Sequence, residues 1–195
     1  MNRLIQAIHF SAEAHRNQRR KDSAKTPYIN HPIEVMYLLS AAGVEDIDTL
    51  CAAVLHDTIE DTSVHYAYLV YAFGENVARI VMECSDDKTL PKVERKKKQI
   101  RHTHEISTAA KLVKAADKLS NVSSLASNPP SNWSKEEIDG YFCWSYVVCQ
   151  GLFGYNTILD IKLRKIFKEE GLMDINVDEL QERLEVYYVV IQNKD

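Results

Sequence analysis

One short segment of the chain combines an imidazole with carboxylates at helical spacing. The segment Leu55–Thr62 reads LHDTIEDT and ends an apolar stretch that is predicted to be helical. At about 100° per residue, one arc of that helix carries the four ionisable side chains, which are His56, Asp57, Glu60 and Asp61. Three neighbouring carboxylates raise one another's pKa unless a cation neutralises them. The segment therefore predicts a metal site.

Two distant residues can complete such a site. His31 begins a predicted helix, and Asp117 lies in the apolar pattern of another, where an acid is costly unless it is paired or metal-bound. With His56 and Asp57 they form a nitrogen and oxygen donor set that suits Mn²⁺, Fe²⁺ or Zn²⁺, and Mn²⁺ is favoured where open positions hold water and phosphate oxygens. We expect a catalytic rather than a structural site. The remaining histidines show no convergent spacing and are predicted to be at the surface or loosely packed: His9, His15, His65, His102 and His104.

Glu60 and Asp61 lie one turn beyond the first pair of predicted ligands. A phosphorus centre crowded by negative oxygens resists nucleophiles, and a cation both neutralises that charge and lowers the pKa of attacking water. Carboxylates beside the ion can hold or deprotonate this water without being ligands. We therefore predict that both residues are catalytic, and the alternative is a solvated helix end.

Positive charge is clustered in two segments although the formal net charge is −4. The first lies within residues 16–25 and the second within residues 92–101. A net acidic chain argues against a general nucleic-acid binder, whereas local basic patches suit a small polyphosphate ligand. Lys92, which follows a loop, is predicted to contact phosphate. For Lys96–Lys98 a solvated helix face is favoured.

The elements that must position these residues are predicted to be helices. Apolar residues recur at helical spacing almost everywhere, and strict alternation over the length of a strand is rare. The expected helices span residues 2–18, 31–42, 47–61, 64–73, 75–84, 92–103, 107–126, 134–151, 154–170 and 178–191. The predicted fold class is therefore all-α.

Length and composition restrict the architecture and the setting. A chain of 195 residues allows one compact domain with an added helix. No apolar run approaches the roughly 18 residues that cross a bilayer, and the charged N-terminus lacks the apolar stretch of a signal peptide. We expect a cytoplasmic protein with no membrane partner. The four cysteines form no CxxC pair and are predicted to be buried free thiols.

Four segments together resemble a known family. They are Tyr28-Ile29-Asn30-His31-Pro32, Leu55–Thr62, Asp86-Asp87-Lys88 and Lys114-Ala115-Ala116-Asp117-Lys118-Leu119. They resemble the HD-domain hydrolases of the RelA/SpoT alarmone class, most closely the small, single-domain branch called the metazoan SpoT homologues. The resemblance covers about residues 3–171. It implies a compact HD-domain helical bundle over residues 1–171, and we expect residues 172–195 to form a helical extension that caps this domain or joins a neighbouring subunit in a homo-oligomer.

The resemblance also implies a reaction. It implies a Mn²⁺ ion held by His31, His56, Asp57 and Asp117, and removal of the 3′-diphosphate from (p)ppGpp, the alarmone of the stringent response, to give GDP or GTP and pyrophosphate. Two alternatives stay open. One is an NADPH 2′-phosphatase that yields NADH and phosphate, and the other is a catalytically silent nucleotide-binding scaffold, whose sign would be the loss of a ligand or of the Glu-Asp pair.

Family positions suggest how the substrate is held. The resemblance places Arg20 and Lys21 beside the nucleotide, where the arginine can stack on a base and contact a phosphate, and it places Tyr141 within reach of the substrate. Asn121, one turn after the predicted ligand on its helix, is expected on the same face. The chain departs from the family at Ser120–Ser124, which reads SNVSS where a Tyr-Asn-Leu-Arg-Asp type of stretch is usual. A supporting ion pair is lost there, but the asparagine remains.

Overall fold

The structure, a computed structural model, describes residues 2–194 and folds them into eleven α-helices with no strand in that range. The helices are α1 (Arg3–Ala14), α2 (Asn30–Ala41), α3 (Ile47–Leu55), α4 (Thr58–Asp61), α5 (Tyr66–Phe73), α6 (Glu75–Cys84), α7 (Lys92–His102), α8 (Thr108–Ser127), α9 (Lys135–Gln150), α10 (Thr157–Glu169) and α11 (Val177–Gln192). The all-α prediction is confirmed. None of these described helices combines the length and the apolar character needed to span a lipid bilayer.

Two buried helices form the centre of the bundle. Helix α8 contacts α2, α3, α6, α9 and α10, and α3 is buried at every residue from Thr49 to Leu55. A helix that is apolar on all sides is stable only inside such a core. Because these two helices are fixed by packing on several sides, the residues at the end of α3 and in the middle of α8 are held rigidly.

The helix predicted over residues 47–61 is interrupted at His56 and Asp57. Helix α3 ends at Leu55, and the next helix begins at Thr58 after Asp57 adopts φ −93° and ψ −3°. The Thr58 hydroxyl donates to the Leu55 carbonyl oxygen at 2.7 Å, which partners a carbonyl group near the end of the first helix. The continuous arc predicted for the four ionisable residues is therefore wrong, since His56 and Asp57 project from the junction and Glu60 and Asp61 from α4.

The polar segment before α2 is closed by side-chain hydrogen bonds. Asp22 accepts from the backbone N–H of Thr26 at 3.0 Å and from its hydroxyl at 2.6 Å, and the Arg20 N–H donates to the Thr26 carbonyl oxygen at 2.8 Å. Pro27 prevents this segment from continuing as helix. The closed loop presents Arg20 and Lys21 at the mouth of a cavity described below.

The C-terminal helix α11 packs along α9 and also contacts α7. The approach to α9 is close, because a Cβ atom built at Gly140 would lie 2.4 Å from the Cβ atom of Tyr187. Tyr188 also lies near α7, with the Lys97 ammonium 5.1 Å from its ring centroid. Helix α11 is thus held against the bundle through its aromatic residues.

Candidate active site

Three elements bring two histidines and an aspartate to one point. His31 comes from α2, His56 from the junction after α3, and Asp117 from the middle of α8. The ligand atoms of these three residues all lie within 4.8 Å of one another. The Nε2 atoms of His31 and His56 are 3.1 Å and 3.7 Å from Asp117 Oδ1. Spacings of this size suit donor atoms that would each lie about 2 Å from a shared ion.

Asp57 lies against the same two histidines. Its Oδ2 atom is 3.1 Å from His56 Nε2 and 3.7 Å from His31 Nε2. The same oxygen accepts a hydrogen bond of 2.7 Å from the Tyr28 hydroxyl. The structure therefore brings together all four residues that were predicted as metal ligands, although Asp117 belongs to the compact trio and Asp57 lies beside it.

The outer hydrogen bonds of the histidines leave both Nε2 atoms available to a cation. His56 Nδ1 donates to the Ala53 carbonyl oxygen at 2.8 Å. His31 Nδ1 lies 3.0 Å from Ser120 Oγ, whose hydroxyl donates to Glu34 Oε2 at 2.8 Å. A neutral imidazole that donates from Nδ1 has an unprotonated Nε2. The Nε2 atom of His56 is buried without a hydrogen-bond partner, and an orphaned nitrogen facing carboxylates fits a metal ion.

Strong electrostatic coupling operates within this cluster. Burial lowers the pKa of the His56 imidazole, but the charges of Asp57 and Asp117 outweigh burial and raise this pKa well above its usual value. Burial raises the pKa of the Asp117 carboxyl, whereas Lys118 and His31 outweigh burial and hold it well below its usual value. A cation held by these groups would compete with a proton for His56, because a histidine must be neutral to bind a metal.

Glu60 and Asp61 line the same cavity and share the Lys88 ammonium, which is 3.8 Å from Glu60 Oε1 and closer to Asp61, but their hydrogen-bond partners differ. Glu60 Oε2 accepts from the Asp86 N–H at 2.9 Å, and partial burial together with the charge of Asp86 raises the pKa of the Glu60 carboxyl to about 7. Asp61 is paired with Lys88 and accepts from the Tyr28 hydroxyl at 3.3 Å. A carboxyl with a pKa near neutrality suits proton transfer, so these surroundings favour Glu60 over Asp61 as the proton acceptor.

The cluster opens into two adjoining cavities. The inner cavity, of about 310 Å³, contains the histidine and carboxylate residues, and the outer cavity, of about 520 Å³, extends towards α11. The residues that line both are Lys21, Tyr28, Lys92, Lys96, Asn121 and Tyr141. Because they share these walls, the cavities form one depression of a size typical for a small ligand.

Every residue predicted to bind substrate lines this depression. These residues are Arg20, Lys21, Lys92, Asn121 and Tyr141. Arg20 donates from Nη1 and Nη2 to Asn121 Oδ1 at 3.3 Å, and Asn121 Nδ2 donates to Asp117 Oδ1 at 2.6 Å. The orientation of Asn121 is thus fixed without the ion pair that the departure at residues 120–124 removes.

Lys96 lies inside the depression, so the predicted solvated face is wrong for this residue. Its ammonium is 3.4 Å from the Trp144 ring centroid and 5.0 Å from that of Tyr141. Burial and the positive charge of Lys118 lower the pKa of the Lys96 ammonium to about 7. The sequence contained one indication of this position. Lys96 follows Lys92 by four residues, and residues at that spacing share a helix face.

A further group supports the site from behind. His15 is 1% exposed, so the prediction that it is at the surface or loosely packed is wrong. Its Nδ1 atom lies 2.7 Å from Gln18 Oε1, and Gln18 Nε2 donates to the Asp61 carbonyl oxygen at 2.5 Å. Its ring centroid is also 5.0 Å from that of Tyr28. No periodicity in the sequence indicates this contact between the segment that follows α1 and α4.

Comparison with known proteins identifies the family of this chain. Residues 7–139 match the HD domain family. The guanosine-3′,5′-bis(diphosphate) 3′-pyrophosphohydrolase MESH1 of Xenopus tropicalis is 47% identical over 170 residues, which are 87% of this chain and 95% of that relative. The Homo sapiens relative of the same name is 48% identical over 170 residues, with the same shares of the two chains. A solved structure of a metazoan ortholog of SpoT, which hydrolyzes ppGpp, has a TM-score of 0.87 and 42% identity, and covers 89% of this chain and 98% of that one.

The fold and the site define an HD-domain phosphohydrolase. Within that family, the chain belongs to the small, single-domain relatives of SpoT.

The hydrogen bond from His31 to Ser120 generates a prediction about metal affinity. Replacing Ser120 with Ala removes the group that fixes the tautomer and ring orientation of His31, so binding of a divalent metal ion should weaken about 10- to 100-fold. Calorimetric titration of the metal-free protein measures this change. Ser123→Ala on the same helix is the matched control. A Ser120→Ala protein with the wild-type dissociation constant would show that this hydrogen bond does not support the site.

Proposed function

We propose that this protein is a Mn²⁺-dependent (p)ppGpp 3′-pyrophosphohydrolase that releases GDP or GTP and pyrophosphate. The observation that carries this proposal is a buried histidine and carboxylate cluster that opens directly into a depression lined by Lys21, Lys92 and Lys96. Such a site combines ligands for a divalent cation with several positive charges for a polyphosphate. The reaction named for the relatives supports the same choice.

We assign the metal to His31, His56, Asp57 and Asp117. Imidazole and carboxylate donors without a thiolate suit Mn²⁺. When bound, the ion supplies charge neutralisation at the phosphoryl group and a lowered pKa for the attacking water. The orphaned Nε2 atom of His56 and the short contacts of both histidines with Asp57 and Asp117 are the support for this assignment.

Glu60 is proposed to accept the proton of the attacking water. Its carboxyl is only partly buried, lines the inner cavity and has a raised pKa of about 7, so it exchanges protons near neutral pH. Asp61 is held by Lys88 and Tyr28, and we propose that it orients the water instead. Both residues therefore act beside the ion rather than as its ligands.

The basic residues are proposed to hold the rest of the nucleotide. Lys21 and Lys92 line both cavities and face the phosphates, and Arg20 presents its guanidinium plane for stacking on a base. The lowered pKa of Lys96 rises again when an anionic ligand enters, because a nearby negative charge favours the ammonium form. Asn121 links Arg20 to the ligand Asp117 and so couples substrate position to the metal site.

We also propose a cytoplasmic enzyme whose partner is a small nucleotide rather than a nucleic acid. The net charge of −4 supports the second point. The four cysteines are free and buried, which is usual in a reducing compartment.

Product analysis tests the proposed reaction. The purified protein with Mn²⁺ should convert ppGpp to GDP and pyrophosphate, since attack at the ribose-proximal phosphorus releases the diphosphate as one unit. Orthophosphate as the sole initial product would contradict the proposal. NADPH belongs in the same assay because it also carries a phosphoryl group on a secondary ribose oxygen, and a kcat/KM higher for NADPH than for ppGpp would replace the alarmone assignment.

The role of Glu60 gives a prediction about pH. Glu60 must be deprotonated to accept a proton, so kcat/KM should rise with pH as its carboxyl ionises. Burial and the charge of Asp86 raise the pKa of this carboxyl to about 7. A nearby cation lowers this pKa, so the rise should occur at or below about pH 7. Glu60→Gln should lower kcat about 10²-fold or more, remove this ionisation and keep the metal. Exposed Glu45→Gln is the control. Normal turnover in Glu60→Gln would assign the proton to another group.

A further inference from the structure

The C-terminal helix supplies part of the outer cavity. Tyr187 and Ile191 of α11 line it and are 2% and 1% exposed. The family resemblance ends near residue 171, before α11 begins. The relative from Xenopus tropicalis aligns over 170 residues that are 95% of its length, which leaves it about nine residues outside. Nine residues are too few for a helix of 16 residues such as α11, so that relative has no equivalent of α11 outside its aligned part.

Glu137 is a buried acid at the wall that α11 supplies. It lines the outer cavity from α9 and is 3% exposed. Its carboxylate is paired with the ammonium of Lys194, which follows α11 and also donates to the Asn132 carbonyl oxygen at 3.4 Å. The other acid among the described lining residues, Asp22, lies on the loop at the mouth and is bound to Thr26. Glu137 is thus positioned by the extension.

The outer cavity adds aromatic rings and an acid to the basic residues that it shares with the inner cavity. Lys21 and Lys92 line both cavities, whereas Trp133, Glu137 and Tyr187 line the outer cavity and not the inner one. The rings of Trp133 and Tyr141 lie with centroids 5.5 Å apart at 54°. Phosphates at the inner cavity are attracted to the shared lysines, whereas a planar base suits the aromatic rings and the Arg20 guanidinium of the outer cavity. A nucleotide held by its ribose phosphates at the inner cavity would therefore direct its base towards the α11 wall.

A carboxylate at that position distinguishes purine bases by their hydrogen-bonding edges. Guanine presents two adjacent donors, the N1–H and the exocyclic amino group, and a carboxylate can accept from both. Adenine presents an unprotonated N1 beside a single amino group. Its N1 lone pair would face a carboxylate oxygen, and that contact is repulsive and leaves both groups without a donor.

We propose that the α11 wall, formed by Tyr187 and Ile191 of α11 with Glu137 of α9, selects a guanine base over an adenine base. Glu137 accepts hydrogen bonds from the Watson–Crick edge of guanine, and Lys194 acts as a positioning residue for its carboxylate. Tyr187 and Ile191 close the cavity behind the base. This inference rests on the proposed function, because it places the ribose phosphates at the histidine and carboxylate cluster.

The test compares two substrates that differ only in the base. Steady-state kinetics of the full chain with Mn²⁺ are measured on ppGpp and on its adenosine counterpart, adenosine-3′,5′-bis(diphosphate). The wild type should favour the guanosine compound by about tenfold or more in kcat/KM, the size expected for one bidentate contact. Glu137→Gln offers a donor beside an acceptor, so the ratio should fall to within about threefold, mainly through KM for ppGpp.

Two further variants separate base recognition from folding. Glu136→Gln alters the exposed neighbour and should keep the wild-type ratio. Lys194→Ala leaves Glu137 in place without its partner and should lower the ratio while the circular dichroism spectrum stays unchanged. If Glu137→Gln does not fold, Lys194→Ala carries the test alone. A wild type without base preference, or an unchanged ratio in the folded variants, would overturn the inference.

A binding measurement keeps this inference distinct from the proposed reaction. Calorimetric titration with GDP and with ADP reports base preference without hydrolysis, and the wild type should bind GDP about tenfold more tightly. Absence of hydrolysis with this preference intact would contradict the proposed function alone. Equal binding of GDP and ADP by the wild type would overturn the role of the α11 wall.

Discussion

Asp57 and Asp117 approach the Nε2 atoms of the same two histidines at 3.1 to 3.7 Å, in a cluster whose side chains are between 2% and 16% exposed. Two carboxylates in so little water are unfavourable unless positive charge balances them. Without a metal, the raised pKa of His56 supplies part of that charge as a proton. A divalent cation balances both carboxylates and leaves the imidazoles neutral, so the requirement for a cation accounts for the arrangement of the whole site.

The surrounding helices serve this requirement. The break between α3 and α4 lets His56 and Asp57 both face the cluster, and the packed α8 holds Asp117 within reach of both histidines. Asp117 uses its oxygens differently, because Oδ1 faces the histidines and Asn121 whereas Oδ2 pairs with Lys118 at 2.8 Å. The carboxylates lie at the centre of the site and the lysines lie on the walls of the depression around it. This distribution of charge suits a metal ion at the centre with phosphates around it.

Much of this arrangement could be predicted from the sequence. Helical periodicity located the helices, and the cost of a lone acid in an apolar helix pointed to Asp117. The break at His56 could not be predicted, because no glycine or proline marks it and the geometry depends on a threonine hydroxyl that replaces a helical bond. The positions of Lys96 and His15 depend on contacts between elements distant in sequence, which are those of Lys96 with Trp144 and of His15 with Tyr28. Helical periodicity and residue spacing do not reveal contacts between distant segments. The proximity of α11 to the cavity was missed for the same reason.

Metal stoichiometry in an Asp117→Asn protein tests the central claim most directly. Elemental analysis after dialysis against Mn²⁺ should give one ion per wild-type chain and little or none in Asp117→Asn, because an amide is a neutral and poorer ligand. The melting temperature of the wild type should also fall on chelation, and that of the variant should not, since an ion that binds only the folded state stabilises it. Full occupancy in Asp117→Asn would contradict the account, because the buried carboxylate would then not be part of what holds the ion.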